Sequence, residues 1–232
     1  LPETVKVPHL LYSEKKDNAQ VLVLEDLSIE FPKLKEQCTF QEAKTVVKWL
    51  AQFHADFLKL PPKGLWPVGS YWHLKTRPDE WKAMQESPLK ANASLLDEAL
   101  NSSEFKTIIH GDAKVANFCF NEDGSQVSAV DFQYVGGGVG VKDLVYFLGS
   151  CLTEDECQIY EQELLDFYFR ELKLAASDLS QNETDALDQE WRQLYSVAWA
   201  DFNRFLLGWM PTHQKLHAFA LSKNEEALRA LK

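Results

Sequence analysis

The sequence predicts an α+β protein that is mainly helical, and three features carry that expectation. Two amphipathic stretches open on capping boxes, at Thr39 with Glu42 and at Thr153 with Glu156. Short β-branched and aromatic runs recur at residues 21–24, 107–109, 118–120 and 127–132, and the last two flank an Asp123-Gly124 turn. No internal repeat, low-complexity tract or flexible linker marks off a second independent domain.

Taken in order, residues 21–24 read as a strand that follows a polar turn at 15–18 and leads through Glu25 and Asp26 into a connector. The first helix starts after Thr39, carries Ala43, Val46, Val47, Leu50, His54 and Phe57 on one face, and stops before Pro61-Pro62. A histidine on that apolar face is expected to be a core residue. Residues 61–78 lack either period and are read as an ordered excursion packed by Trp66, Tyr71 and Trp72. A short helix is expected over 93–100. A buried strand, Thr107–Ile109, then leads into HGDAKVAN, and the hairpin follows. The glycines at 136–140 read as a flexible loop. Beyond them lie a helix near 142–152, the helix capped by Thr153, and a long helix through 191–209. Trp191, Trp199, Phe202, Phe205 and Trp209 recur there at helical spacing and are expected in the core. Asp201 and Arg204 on the same helix are read as a surface or interhelix ion pair, or as charges facing a substrate.

With 232 residues, 45% of them hydrophobic, the chain can bury a substantial core. Its 24 basic and 35 acidic residues give a net charge of −11, which argues against nucleic acid and anionic lipid as partners. Cys38, Cys119, Cys151 and Cys157 have neither metal-site nor disulfide-scaffold spacing and are expected to be reduced structural thiols. No apolar run is long enough to cross a bilayer and the opening residues lack signal-peptide order, so a cytoplasmic location is expected.

The chemistry concentrates in residues 110–117 and in Asp131. Counting outward from Asp123-Gly124 sets Asn117 opposite Val130, which brings Asn117 within a residue of Asp131. An amide oxygen beside a carboxylate is a hard, oxygen-only ligand pair that suits Mg2+, with a nucleotide phosphate as the natural third partner. Asp112 stands on the loop leaving a buried strand, where it can orient or deprotonate a hydroxyl. The order His110, Asp112, Asn117 and then Asp131 is that of a protein-kinase catalytic loop and its metal-binding aspartate. Lys114 adds a positive charge that can neutralise a transferred phosphoryl group, whereas His110 is expected to be a buried strut.

HGDAKVANFCF, AVDFQYVGGGVGVKDLVYFL and VLVLEDL together resemble the aminoglycoside phosphotransferase and choline kinase superfamily, and within it the ecdysteroid-kinase-like group. The likeness runs from about Val21 to Trp209. It implies a protein-kinase-like fold with a mainly helical C-lobe, a catalytic hairpin, a hinge and remnant N-lobe strands. It further implies ATP and Mg2+ as cofactors, Asp112 as catalytic base, and Asn117 and Asp131 as metal ligands. Leu24, Glu25, Asp26 and Leu27 become a hinge whose backbone meets adenine, and Asp143 becomes a brace for the catalytic loop. The expected function is a small-molecule kinase acting on a hydroxyl of an amino alcohol, aminoglycoside-like or steroid-like acceptor. A pseudokinase or ligand-binding module is the alternative. Only some twenty residues precede Val21, so residues 1–28 are expected to be a remnant of the N-lobe and hinge and 29–232 the C-lobe, as an inactive fragment of a longer enzyme.

Overall fold

The computed structural model describes residues 5–231. The first four residues of the expected 1–28 segment and the last residue of the 29–232 segment lie outside the described residues. Strands β1 (Leu10–Lys16) and β2 (Ala19–Leu24) form an antiparallel ribbon whose turn holds Asp17 at φ 52°. β2 is the expected strand extended toward the turn. Every residue of both strands is exposed.

Helix α1 (Phe40–Asp56) starts on the Thr39–Glu42 capping box and buries its apolar face against α6 (Glu154–Ala175), itself capped by Thr153 and Glu156. Helices α2 (Pro78–Ala83), α3 (Pro88–Ala91) and α4 (Ala93–Asn101) follow the irregular excursion. α5 (Val141–Cys151) is buried almost all round. α7 (Gln181–Trp209) packs against α5, α2 and α4 and against α8 (Ala218–Ala230). It begins on a third capping box, Ser180 with Glu183, ten residues ahead of the aromatic stripe at Trp191. Trp49, Trp191, Trp199, Phe118 and Phe147 are fully buried in one continuous core, each contributing about 2–3 kcal/mol of burial. Trp209 departs from the core expectation, because the helix ends there and leaves its ring half exposed.

Four short strands position the chemistry. β3 (Thr107–Ile109) pairs with β6 (Gly136–Gly138), and β4 (Phe118–Phe120) pairs with β5 (Val127–Ala129). The glycine cluster is therefore a buried strand and not the flexible loop expected. A Cβ on Gly136 would meet the Trp66 carbonyl oxygen at 2.4 Å, so absence of a side chain is what lets this strand pass. β5 stops at Ala129 instead of running to 132, because Asp131 adopts φ 66° and breaks the ladder. In the excursion Trp72 is fully buried, but Trp66 is 49% exposed, its backbone bridging to β6 and its Nε1 donating to the Gln133 carbonyl. Asp201 and Arg204 form a buried pair within α7 at 2.8 Å, which also holds Trp72 Nε1 and the Trp72 carbonyl. All four cysteines are free and buried, and no described helix is long and apolar enough to cross a membrane.

Candidate active site

The loop that leaves β3 is fixed by one buried carboxylate. Asp143, in the first turn of α5, accepts from the backbone N–H groups of His110 (2.6 Å) and Gly111 (2.9 Å) and sits 3.1 Å from His54 Nε2. Burial opposes its charge, yet the His54 and Gly111 bonds outweigh burial and hold its carboxyl below the usual range. His54 is thus the core histidine that its helix face predicted, with Nδ1 2.8 Å from the Tyr168 hydroxyl. Gly111 needs φ 81°, and a Cβ there would lie 2.2 Å from the Tyr134 carbonyl oxygen. His110 is the strut it was read to be: Nε2 donates to the Val130 carbonyl at 2.9 Å and Nδ1 accepts from Asp112 N–H at 3.2 Å. That pattern assigns its proton to Nε2, and burial holds the imidazole below its ordinary pKa, so it is neutral.

Asp112 follows, only 2% exposed. Its Oδ2 accepts from Lys114 Nζ at 2.9 Å and from Asn117 Nδ2 at 3.2 Å, while Oδ1 is buried with no partner among the described residues. Asn117 Nδ2 also donates to the Asp112 carbonyl at 2.8 Å. The amide nitrogen is spent on Asp112, and its oxygen makes no hydrogen bond among the described residues. Val130 N–H donates to the Asn117 carbonyl at 3.0 Å, the pairing counted from the hairpin turn. Asp131 comes next, turned out of the strand and exposed, with the Gln133 amide 3.4 Å from its Oδ2. Asp112, Lys114 and Asn117 are in direct contact, and Asp131 stands one residue past the backbone bond that joins Asn117 to Val130.

An apolar cleft of about 670 Å³ separates the ribbon from the lobe, walled by Leu22, Leu24, Phe53, Ile108 and Phe132, with Asp131 at its edge. Of the four hinge residues, the structure brings Leu24 to this cleft. Glu25, Asp26 and Leu27 do not line it. The Glu25 N–H already donates to the His9 carbonyl at 2.9 Å, and the Asp26 carboxylate accepts from Ser28 N–H at 2.9 Å; the Ser28 hydroxyl first and this N–H second hold its pKa low.

The structure also joins a group the sequence did not disclose. The Tyr71 and Tyr146 hydroxyls meet at 3.3 Å, and the Lys215 ammonium lies 4.6 Å from the Tyr146 ring centre. Tyr71 comes from the excursion, Tyr146 from α5 and Lys215 from the connection between α7 and α8. No spacing rule links three such positions. The only signal was the Tyr in KDLVYFL, within the segment already singled out for Asp143.

A family model described as the Ecdysteroid kinase-like family matches residues 70–181. No curated protein matches the chain in sequence. Among solved structures it is similar to a microcompartment-associated aminopropanol kinase, at 16% identity and a TM-score of 0.52, over 98% of this chain and 74% of that one. It is similar to the amicoumacin kinase hAmiN in complex with AMP-PNP, Ca2+ and Ami, at 12% identity and 0.55, over 98% and 72%. An aminoglycoside phosphotransferase from Streptomyces rimosus, in complex with ADP and streptomycin, gives 13% and 0.50, over 82% and 76%. At such identities the likeness speaks for the fold. The matched segment and the shared kinase-like α+β fold support the resemblance read from the motifs, that of an ecdysteroid kinase-like chain within the aminoglycoside phosphotransferase and choline kinase-like superfamily.

Proposed function

We propose that this chain carries the catalytic lobe of a small-molecule kinase that transfers the γ-phosphoryl group of ATP to a hydroxyl. The observation that carries the reading is Asp112, a buried carboxylate with one oxygen held by Lys114 and Asn117 and the other without a partner among the described residues. A buried acceptor atom left unpaired is costly unless a ligand completes it, and an acceptor hydroxyl does so. Asp112 Oδ1 receives that hydroxyl and takes its proton as the oxygen attacks phosphorus. Lys114, 2.9 Å from Oδ2, orients the carboxylate and brings positive charge beside the transferred group.

The residues fit a magnesium ion. Asn117 has its nitrogen tied to Asp112, which leaves the oxygen as the ligand atom, and Asp131 is exposed at the edge of the cleft. Both donors are hard oxygens, and Mg2+, when bound, neutralises charge on the phosphate oxygens. The adenine ring is taken up by the apolar cleft beneath Leu22 and Leu24. The test incubates the intact protein with ATP, MgCl2 and pooled alcohols, amino alcohols and steroids. ADP release that requires both an acceptor and Mg2+ is expected. Release indifferent to acceptor, or phosphoester hydrolysis without ATP, overturns the reading.

A further inference from the structure

The turn that presents Asp131 does little to hold itself. Asp131 sits at φ 66°, a left-handed conformation that strains any residue but glycine, and its exposed carboxylate has the Gln133 amide at 3.4 Å as its partner. None of the backbone N–H groups of residues 131–134 has a partner among the described residues. A strained turn of this kind keeps one geometry only where its surroundings impose it.

The irregular excursion between α1 and α2 imposes it. Trp66 Nε1 donates to the Gln133 carbonyl at 2.9 Å, and the Trp66 N–H donates to the Val135 carbonyl at 3.2 Å. Ser70 N–H donates to the Tyr134 carbonyl at 3.3 Å and Gly69 N–H to the Gly137 carbonyl at 2.8 Å, while the Trp66 carbonyl accepts from Gly137 N–H at 3.1 Å. Four of these five bonds are made by backbone groups that almost any residue carries. The indole bond alone depends on the side chain, and it falls nearest the strained position, two residues beyond Asp131.

Core packing does not account for this tryptophan. Trp72 in the same excursion is fully buried, whereas Trp66 is half exposed and stands at a second cavity of about 360 Å³. That cavity adjoins the nucleotide cleft, because Leu65, Gln133 and Val135 line both. A half-exposed ring gains little from burial, and its one directed contact is the N–H on Gln133.

We infer that Trp66 is a positioning residue for the divalent cation: its indole N–H, by holding the Gln133 carbonyl, sets the left-handed turn so that the Asp131 carboxylate is aimed before the metal arrives. That Asp131 takes a metal rests on the transferase reading above; the hold of Trp66 on the turn does not. The contribution is that of one neutral hydrogen bond used for preorganisation, so its loss should weaken metal binding by about three- to tenfold.

The test is Trp66→Phe in the intact protein, which removes the N–H donor and keeps an aromatic face on the cleft. Mn2+ binding is followed by the EPR signal of the free ion in the presence of AMP-PNP, and turnover separately by ADP release. The Mn2+ dissociation constant should rise by about three- to tenfold, and the KM for Mg2+ should rise in step. At saturating Mg2+ kcat should return to within about twofold of the unchanged protein, and AMP-PNP affinity without metal should hold within the same margin. A merely structural role would lower kcat and metal-free nucleotide affinity without singling out the metal. If Trp66→Phe fails to fold, reciprocity supplies the second measurement. Mg2+ with AMP-PNP should slow exchange of the Trp66 indole N–H, observed by NMR in the unchanged protein, by a similar factor over AMP-PNP alone. Unaltered Mn2+ affinity in Trp66→Phe, an equal fall in metal-free AMP-PNP affinity, or indole exchange indifferent to Mg2+ overturns the inference. Metal binding that weakens as expected, without acceptor-dependent ADP release, sinks the transferase reading alone. Acceptor-dependent ADP release with the same metal dependence in Trp66→Phe sinks this inference alone.

Discussion

The loop after β3 and the β1–β2 ribbon are held in opposite ways. In the loop, His110 and Asp143 are fully buried, and backbone, histidine and carboxylate are joined by bonds of 2.6–3.2 Å. In the ribbon every residue is exposed, and Leu22 and Leu24 meet the lobe only across the cleft. The difference teaches that the geometry of the chemistry belongs to the lobe, with its positions over-determined by burial. The ribbon supplies one wall of the apolar cleft and little to stability.

The largest expected effect is that of Asp143→Ala. It strands the His110 and Gly111 N–H groups and His54 without an acceptor, and should cost about 3–5 kcal/mol in urea unfolding. A loss below about 1 kcal/mol would put loop and ribbon on the same footing. Gly111→Ala comes next, at about 2 kcal/mol or more, since the new Cβ meets both an unfavourable φ and the Tyr134 carbonyl. The ribbon should respond differently. Leu22→Asn is expected to leave stability within about 0.5 kcal/mol while weakening nucleotide affinity several-fold by calorimetry.

The smallest effect is in the acid limb of stability. The His110 pKa is depressed in the folded state, so the unfolded chain takes up a proton that the folded chain refuses. Stability should therefore start to fall as pH drops below about 6.5, before the carboxylates titrate. His110→Asn should remove that early decline, leaving a weaker one from His213 and His217, whose pKa values burial also lowers. An unchanged early limb would show that His110 is not held neutral.

Much of the lobe was legible because its signals are local. Three capping boxes follow one pattern, and two of them were read; the third, at Ser180, escaped because residues 181–190 are polar on most of their surface. The hairpin register followed from a single turn, and it placed Asn117 opposite Val130 correctly. What was missed depends on partners distant in sequence. The glycines of β6 look like a loop until Trp66 and Ile109 are seen to close on them, and the left-handed turn at Asp131 leaves no trace in composition. β1 mixes charged and apolar residues without a buried face, so periodicity has nothing to report. Lys215 and Tyr71 reach Tyr146 from segments with no period at all.

The central claim is that Asp112 accepts the proton of the attacking hydroxyl, and Asp112→Asn in the intact protein tests it most directly. The substitution keeps size and burial and removes the base. Turnover should fall by about a hundredfold to ten-thousandfold, while nucleotide affinity stays within about twofold and the unfolding midpoint is preserved. Phosphorylation of the acceptor at an undiminished rate would contradict the account.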